Sequence, residues 1–185
     1  MARISAPHQA ESSAFRSIWI SAASAILLAA ACVGPALASD AQSVCAAKLF
    51  RSLDFRIGTF KGVTATGQDA GTTEVAPAAE GCALLEHWQG AMGGNGVGLF
   101  FYHRVQEKWQ FNYANADGEI LILVGTADAN GVTFAGENRF YSFQGLHQMR
   151  WERAPNGTVR QIWKLSVDKG QTWQPIVDMV LIPKS

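Results

Sequence analysis

The sequence predicts an all-β fold: a single antiparallel β-barrel of about ten strands, with a short helix ahead of it. Three observations point there. Apolar and polar residues alternate in short runs over most of the chain, which is the period of a half-buried strand. Turn signals such as Asp117-Gly118, Asn130-Gly131 and Asn156-Gly157 separate these runs at roughly 8–12-residue spacing, the rhythm of sandwiches and barrels. The 18 Gly and the aromatic residues favour strands and turns over a helical bundle. Closure into a barrel is favoured because it leaves no exposed strand edge. No βαβ unit, interior linker, second domain or internal repeat is visible.

Composition narrows the function. The chain of 185 residues fits one domain with a processed end. With 15 Lys+Arg against 15 Asp+Glu, the formal charge is zero. That argues against nucleic acid or an anionic membrane as partner, since both demand a basic surface. An apolar content of 48% suffices for a core and excludes global disorder.

The chain opens on an address. Residues 1–17 are polar and carry Arg3 and Arg16, and Ile18 to Val33 is unbroken apolar and small. Gly34-Pro35-Ala36-Leu37-Ala38-Ser39 then supplies a breaker and a small-x-small site. This describes a secretory signal peptide over 1–38, cut after Ala38, and hence a periplasmic or secreted protein. The apolar run is shorter than the roughly 20 residues of a spanning helix, so the mature chain is expected to have no transmembrane segment. Leu28-Ala29-Ala30-Ala31-Cys32 resembles a lipoprotein box, with Ala29 where a larger apolar residue is usual. Lipidation at Cys32 is therefore the less favoured route.

Residues 39–52 form an N-terminal segment. Ala46, Ala47, Leu49, Phe50 and Leu53 recur at helical spacing, which allows a short helix over 41–53. Cys45 and Cys82 remain as one pair, and in an exported chain a pair reads as a disulfide; two buried thiols are the alternative.

The barrel is expected over 53–185. Phe55 to Val63 reads as a strand with Gly kinks, Thr72 to Val75 as a second, and Cys82 to Trp88 as a third. Met92 to Gly96 is a flexible connection. Val97 to Val105 and Lys108 to Ala114 follow as strands, then Ile120 to Val124 after Asp117-Gly118. Val132 to Ser142, Met149 to Arg153, Thr158 to Val167 and Thr172 to Ile182 complete the set.

Side chains alternate across a strand, so each strand offers two faces. Leu84, Glu86 and Trp88 share one, as do Trp109, Phe111 and Tyr113. His147 aligns with Met149 and Trp151, and Gln161 with Val159, Trp163 and Leu165. The inward set is thus rich in Trp with few polar groups. Glu86, Trp88, Trp109, Tyr113, His147, Gln161 and Trp163 are the candidate ligand-binding residues. The competing reading is a filled core whose Trp and Tyr tips find local partners. Glu86 is the most informative residue. A buried carboxylate is costly, so if it faces inward it meets an Arg or is held neutral.

Other motifs carry little chemistry. Ser166 to Trp173 matches the Asp-box of sialidases and other propellers. Its physical content is a hairpin in which Asp168 and Ser166 bond turn amides and Gly170 takes a positive φ. His87, His103 and His147 are scattered singly and no Cys-x-x-Cys occurs, so no metal site is expected. No Gly-x-Ser-x-Gly, phosphate loop or dinucleotide fingerprint is present.

Gly58-Thr59-Phe60-Lys61-Gly62 resembles the Gly-x-Trp-type opening of lipocalin-like barrels, with Phe in place of Trp. More widely, four stretches resemble a family of uncharacterised bacterial exported proteins with a lipocalin/calycin-like fold. They are Leu53 to Phe60, Gly81 to Trp88, Gly157 to Trp163 and Asp168 to Trp173. The opening is also similar to that of nitrobindin-type haem barrels, whose axial ligand is a His near the C-terminus. No His follows His147 here, and no cofactor is expected.

The functional expectation is an exported barrel, a monomer or weak homodimer, that holds a small, mostly apolar molecule in its interior. Two alternatives stand beside it. One is a barrel enzyme, an isomerase, cyclase or hydrolase, using Glu86 or His147 as acid and base. The other is a cell-envelope interaction module with an exposed apolar patch.

Overall fold

Ten antiparallel strands follow one another around a closed barrel in the computed structural model, which describes residues 44–184. They are β1 (Gly58–Thr64), β2 (Asp69–Ala78), β3 (Ala83–Gly90), β4 (Gly96–His103), β5 (Lys108–Asn115), β6 (Ile120–Ala127), β7 (Gly131–Phe140), β8 (Phe143–Arg153), β9 (Val159–Ser166) and β10 (Gln174–Pro183). Each strand pairs with its neighbours in sequence, and β1 closes the ring on β10 with Phe60 opposite Pro183. Every edge is thereby paired. The expected signal peptide and Cys32 lie outside the described residues. Among the described residues no helix is long and apolar enough to cross a membrane.

The helix expected over 41–53 is not found in the described part of that range. Val44–Ala46, Lys48–Arg51 and Asp54–Arg56 are instead separate 3-10 turns. Ala47 between the first two is extended (φ −60°, ψ 145°), which breaks any continuous helix. The segment is pinned too often to coil freely. Cys45 is bonded to Cys82 with Cα atoms 5.0 Å apart, and Arg51 Nη2 donates to the Gly81 carbonyl. Leu53 and Arg56 are fully buried. The segment is a plug across one end of the barrel. The first strand accordingly starts at Gly58 and not at Phe55, and β8 begins at Phe143, earlier than the expected Met149.

Alternation places the inward faces as the sequence suggests. Above the plug the barrel is solid. Phe100 stacks on Phe111 at 4.4 Å, and Phe134 and Trp151 meet both rings edge-on or tilted at 5.2–5.9 Å. Such offset and edge contacts add stability beyond the apolar area they bury. Toward the other end the filling stops. The ladder between β6 and β7 covers only Val124–Ala127 and Val132–Ala135. Beyond it the strands part, and the Asn138 side chain bonds both the N–H and the C=O of Ile122. The outer faces of β4 and β6 carry exposed Val97, Leu99, Ile120, Ile122 and Val124, with Gln110 and Asn112 of β5 between them.

The Asp-box forms as expected. Asp168 accepts from Ser166 Oγ (2.7 Å), from the Thr172 amide (2.9 Å) and from Thr172 Oγ1 (2.6 Å), while Ser166 Oγ accepts from the Gly170 amide (2.7 Å). Gly170 has φ 89°. These donors, Ser166 first, hold the Asp168 carboxyl down to about 2.

Candidate functional site

The unfilled half of the barrel is a cavity of about 530 Å³, within the range of small-molecule sites. It opens at the end opposite the plug, where the β1–β2, β3–β4 and β7–β8 connections contribute Thr66, Met92 and Tyr141. Its wall is aromatic and thioether: Trp88, Phe111, Tyr113, Phe140, Trp163, Met149 and Met179. Met92, at the mouth, is fully exposed.

Glu86 is the polar group deep in this wall. It is 5% exposed and bonded on one oxygen only: Arg56 Nη2 and Thr73 Oγ1 (2.9 Å) both donate to Oε1. Arg56 comes up from the plug and does not line the cavity. Its guanidinium lies over the rings of Trp151 (4.9 Å) and Phe100 (5.5 Å), and Nε and Nη1 carry no hydrogen bond. Burial pulls Arg56 below its ordinary value while Glu86 works against that pull. A carboxylate in this setting needs such a partner, since an unpaired buried charge is expensive. Room for it is made by Gly98 across the β3–β4 ladder. A Cβ there would lie 3.0 Å from Glu86 Oε2 and 2.8 Å from the Phe111 ring.

Of the seven candidate residues, the structure places Glu86, Trp88, Tyr113, Gln161 and Trp163 on the cavity wall. Tyr113 donates to the Gly94 carbonyl (3.1 Å), and burial raises its hydroxyl well above the ordinary value. Gln161 Oε1 accepts from Trp151 Nε1 (3.0 Å).

Trp109 and His147 are off the wall. Trp109 faces inward as expected, but β5 starts at the plugged end. Its ring packs on Tyr102 at 5.7 Å, and Tyr102 in turn meets Phe50 of the plug. His147 is fully buried beside Trp163, whose indole N–H donates to Nδ1 (3.1 Å). An indole nitrogen only donates, so the ring proton is on Nε2, which donates to the Phe143 carbonyl (3.1 Å). Burial lowers the pKa of this imidazole. Both nitrogens are thus occupied, Nδ1 by the Trp163 indole of the cavity wall and Nε2 by the Phe143 carbonyl. His87 lies opposite Val97, while His103 is six residues further along β4, so these two do not converge.

The residues that sequence reasoning missed are Arg56 and Thr73. The need of a buried Glu86 for a cation was legible, but which arginine supplies it was not, because Arg56 lies in a stretch that reads as strand.

No protein-family model matches the chain, and no curated protein matches it. The family resemblance therefore rests on the four quoted stretches, while the closed ten-stranded barrel rests on the structure.

Proposed function

We propose that this chain is an exported, lipocalin-like binding barrel that takes a small, mostly apolar molecule into its interior through the unplugged end. The observation that carries the reading is the aromatic-walled cavity above a solid aromatic floor. Burying a ligand of matching size there removes apolar surface from water at roughly 25 cal/mol per Å². The Cys45–Cys82 disulfide supports an oxidising compartment. The test is native mass spectrometry of protein purified gently from the periplasm, joined to titration with the neutral fluorophore N-phenylnaphthylamine. A co-purifying small molecule, or saturable one-to-one probe binding that quenches Trp88 and Trp163, is the expected result. An apo mass together with no probe binding overturns it.

A further inference from the structure

The charges around the cavity follow a rule that names the ligand class. Among the described residues, the one charged side chain buried in the cavity wall is that of Glu86; Asp69 and Asp178 border the mouth, with their carboxylates turned to Lys61 and Arg160 on the outer face. No Lys, Arg or His lines it among the described residues. Each of these carboxylates is paired with a cation that stands outside the wall: Glu86 with Arg56, Asp69 with Lys61 (3.1 Å), Asp178 with Arg160 (2.7 Å). A ligand anion inside the cavity would meet the Glu86 carboxylate, while Arg56 behind it does not line the wall, and a like charge at a buried site is costly. A ligand cation would meet acids already neutralised and would lose its hydration for little return.

What Glu86 still offers is an acceptor. Both of its hydrogen bonds fall on Oε1. Oε2 lies over Gly98, where the missing Cβ leaves it room. The rings of Phe111, Tyr113 and Trp88 line the cavity with it, and aromatic walls favour an aromatic partner. Resting on the binding function proposed above, we infer that the cavity selects neutral, flat apolar molecules bearing a hydroxyl-type donor that bonds Glu86 Oε2, and rejects carboxylates of the same shape.

The test is calorimetry on the full, oxidised mature protein at neutral pH. The probes are a naphthol, its methyl ether, the naphthoate and the naphthylmethylammonium ion, all substituted at one ring position. Naphthol should bind at least about tenfold more tightly than each of the others, because only it is neutral and can donate to a buried acceptor. Equal or tighter binding of the naphthoate, the ammonium ion or the ether overturns the inference. N-phenylnaphthylamine separates the two failures. If it does not bind either, the cavity is no binding site; if it binds and naphthol is not preferred, only the selectivity is wrong. In the double variant Arg56→Gln/Glu86→Gln both charges go together, so neither is left unpaired. With folding checked by near-ultraviolet circular dichroism, its preference for naphthol over naphthoate should fall to within about threefold. Retention of the full preference also overturns the assignment to Glu86.

Discussion

Arg56 and Glu86 form an ion pair inside the barrel although Arg56 precedes the first strand and Glu86 sits in the middle of the third. The pair joins the plug to the cavity wall and is backed by the Trp151 and Phe100 rings.

Removing one partner should therefore cost far more than removing both. Glu86→Ala or Arg56→Ala leaves a lone buried charge and should destabilise by about 3–5 kcal/mol, while Arg56→Met/Glu86→Leu should cost much less or nothing. Urea unfolding of the three variants measures this. Equal losses in the single and double variants would contradict a coupled pair.

Acid should weaken the fold in two separate steps. His147 is held below its ordinary value near 6.5, so the unfolded chain binds the extra proton first and stability declines as pH falls from about 6.5 to the folded value. Asp69, Asp128, Asp168 and Asp178 are held below 3.8, so their contributions are complete above that pH and disappear beneath it, for Asp168 down toward about 2. The urea midpoint followed from pH 8 to pH 3 should show the upper step in the native sequence and lack it in His147→Gln. Trp163 fluorescence of the folded protein should change at the lower end of that step, since protonation of Nδ1 there removes the acceptor of its N–H.

The disulfide should matter out of proportion to its exposed surroundings. It encloses 36 residues between Cys45 and Cys82, and the loop-entropy model assigns about 3–4 kcal/mol to a loop of that size. Reduction or Cys45→Ala/Cys82→Ala should lower the urea midpoint accordingly. Hydrogen exchange should rise first in residues 44–57, because the plug is then held to the barrel by noncovalent ties such as Arg51–Gly81 and Arg56–Glu86. Unchanged protection of the plug would show that its noncovalent contacts, among them buried Leu53, the Phe50–Tyr102 ring contact and the Arg153–Ser52 hydrogen bond, retain it without the disulfide.

Gly98 should tolerate no side chain. Gly98→Ala puts a methyl against Phe111 and Glu86 Oε2 and should cost about 1–3 kcal/mol, as overpacking does. The same change at Gly118, where a Cβ meets nothing within 4 Å, reports the separate cost of its φ of 82°. Thermal melts of the two variants compare a clash with a strained backbone. Ligand uptake should also drop in Gly98→Ala, since the methyl occupies the space over Oε2.

How much of this was legible in the sequence depends on which coordinate is asked for. Direction was legible. A period of two placed Leu84, Glu86 and Trp88 on one face and Val159, Gln161 and Trp163 on another, and a one-residue slip would have reversed both. Height along the barrel was not. Trp109 and Tyr113 share a face, yet one sits by the plug and the other by the mouth, because nothing local in Lys108 to Asn115 says which end is closed. Contacts made from outside the sheet were also hidden. Arg56 enters from a segment of 3-10 turns, and the pairing with Glu86 spans 30 residues of sequence. His147 was hidden for a third reason: Trp163, two strand positions from Gln161, stands between it and the cavity.

The meander has a consequence for the order of assembly. Nine ladders join strands adjacent in sequence and form over short loops, whereas the tenth joins β1 to β10 across almost the whole barrel. Loop closure of that length is the slow, entropically costly part of folding. Ile176, Val177 and Met179 of β10 belong to the cavity wall. A nascent chain that still lacks β10 thus has an open, sticky sheet and an incomplete cavity. The barrel encloses its cavity only once β10 has been made.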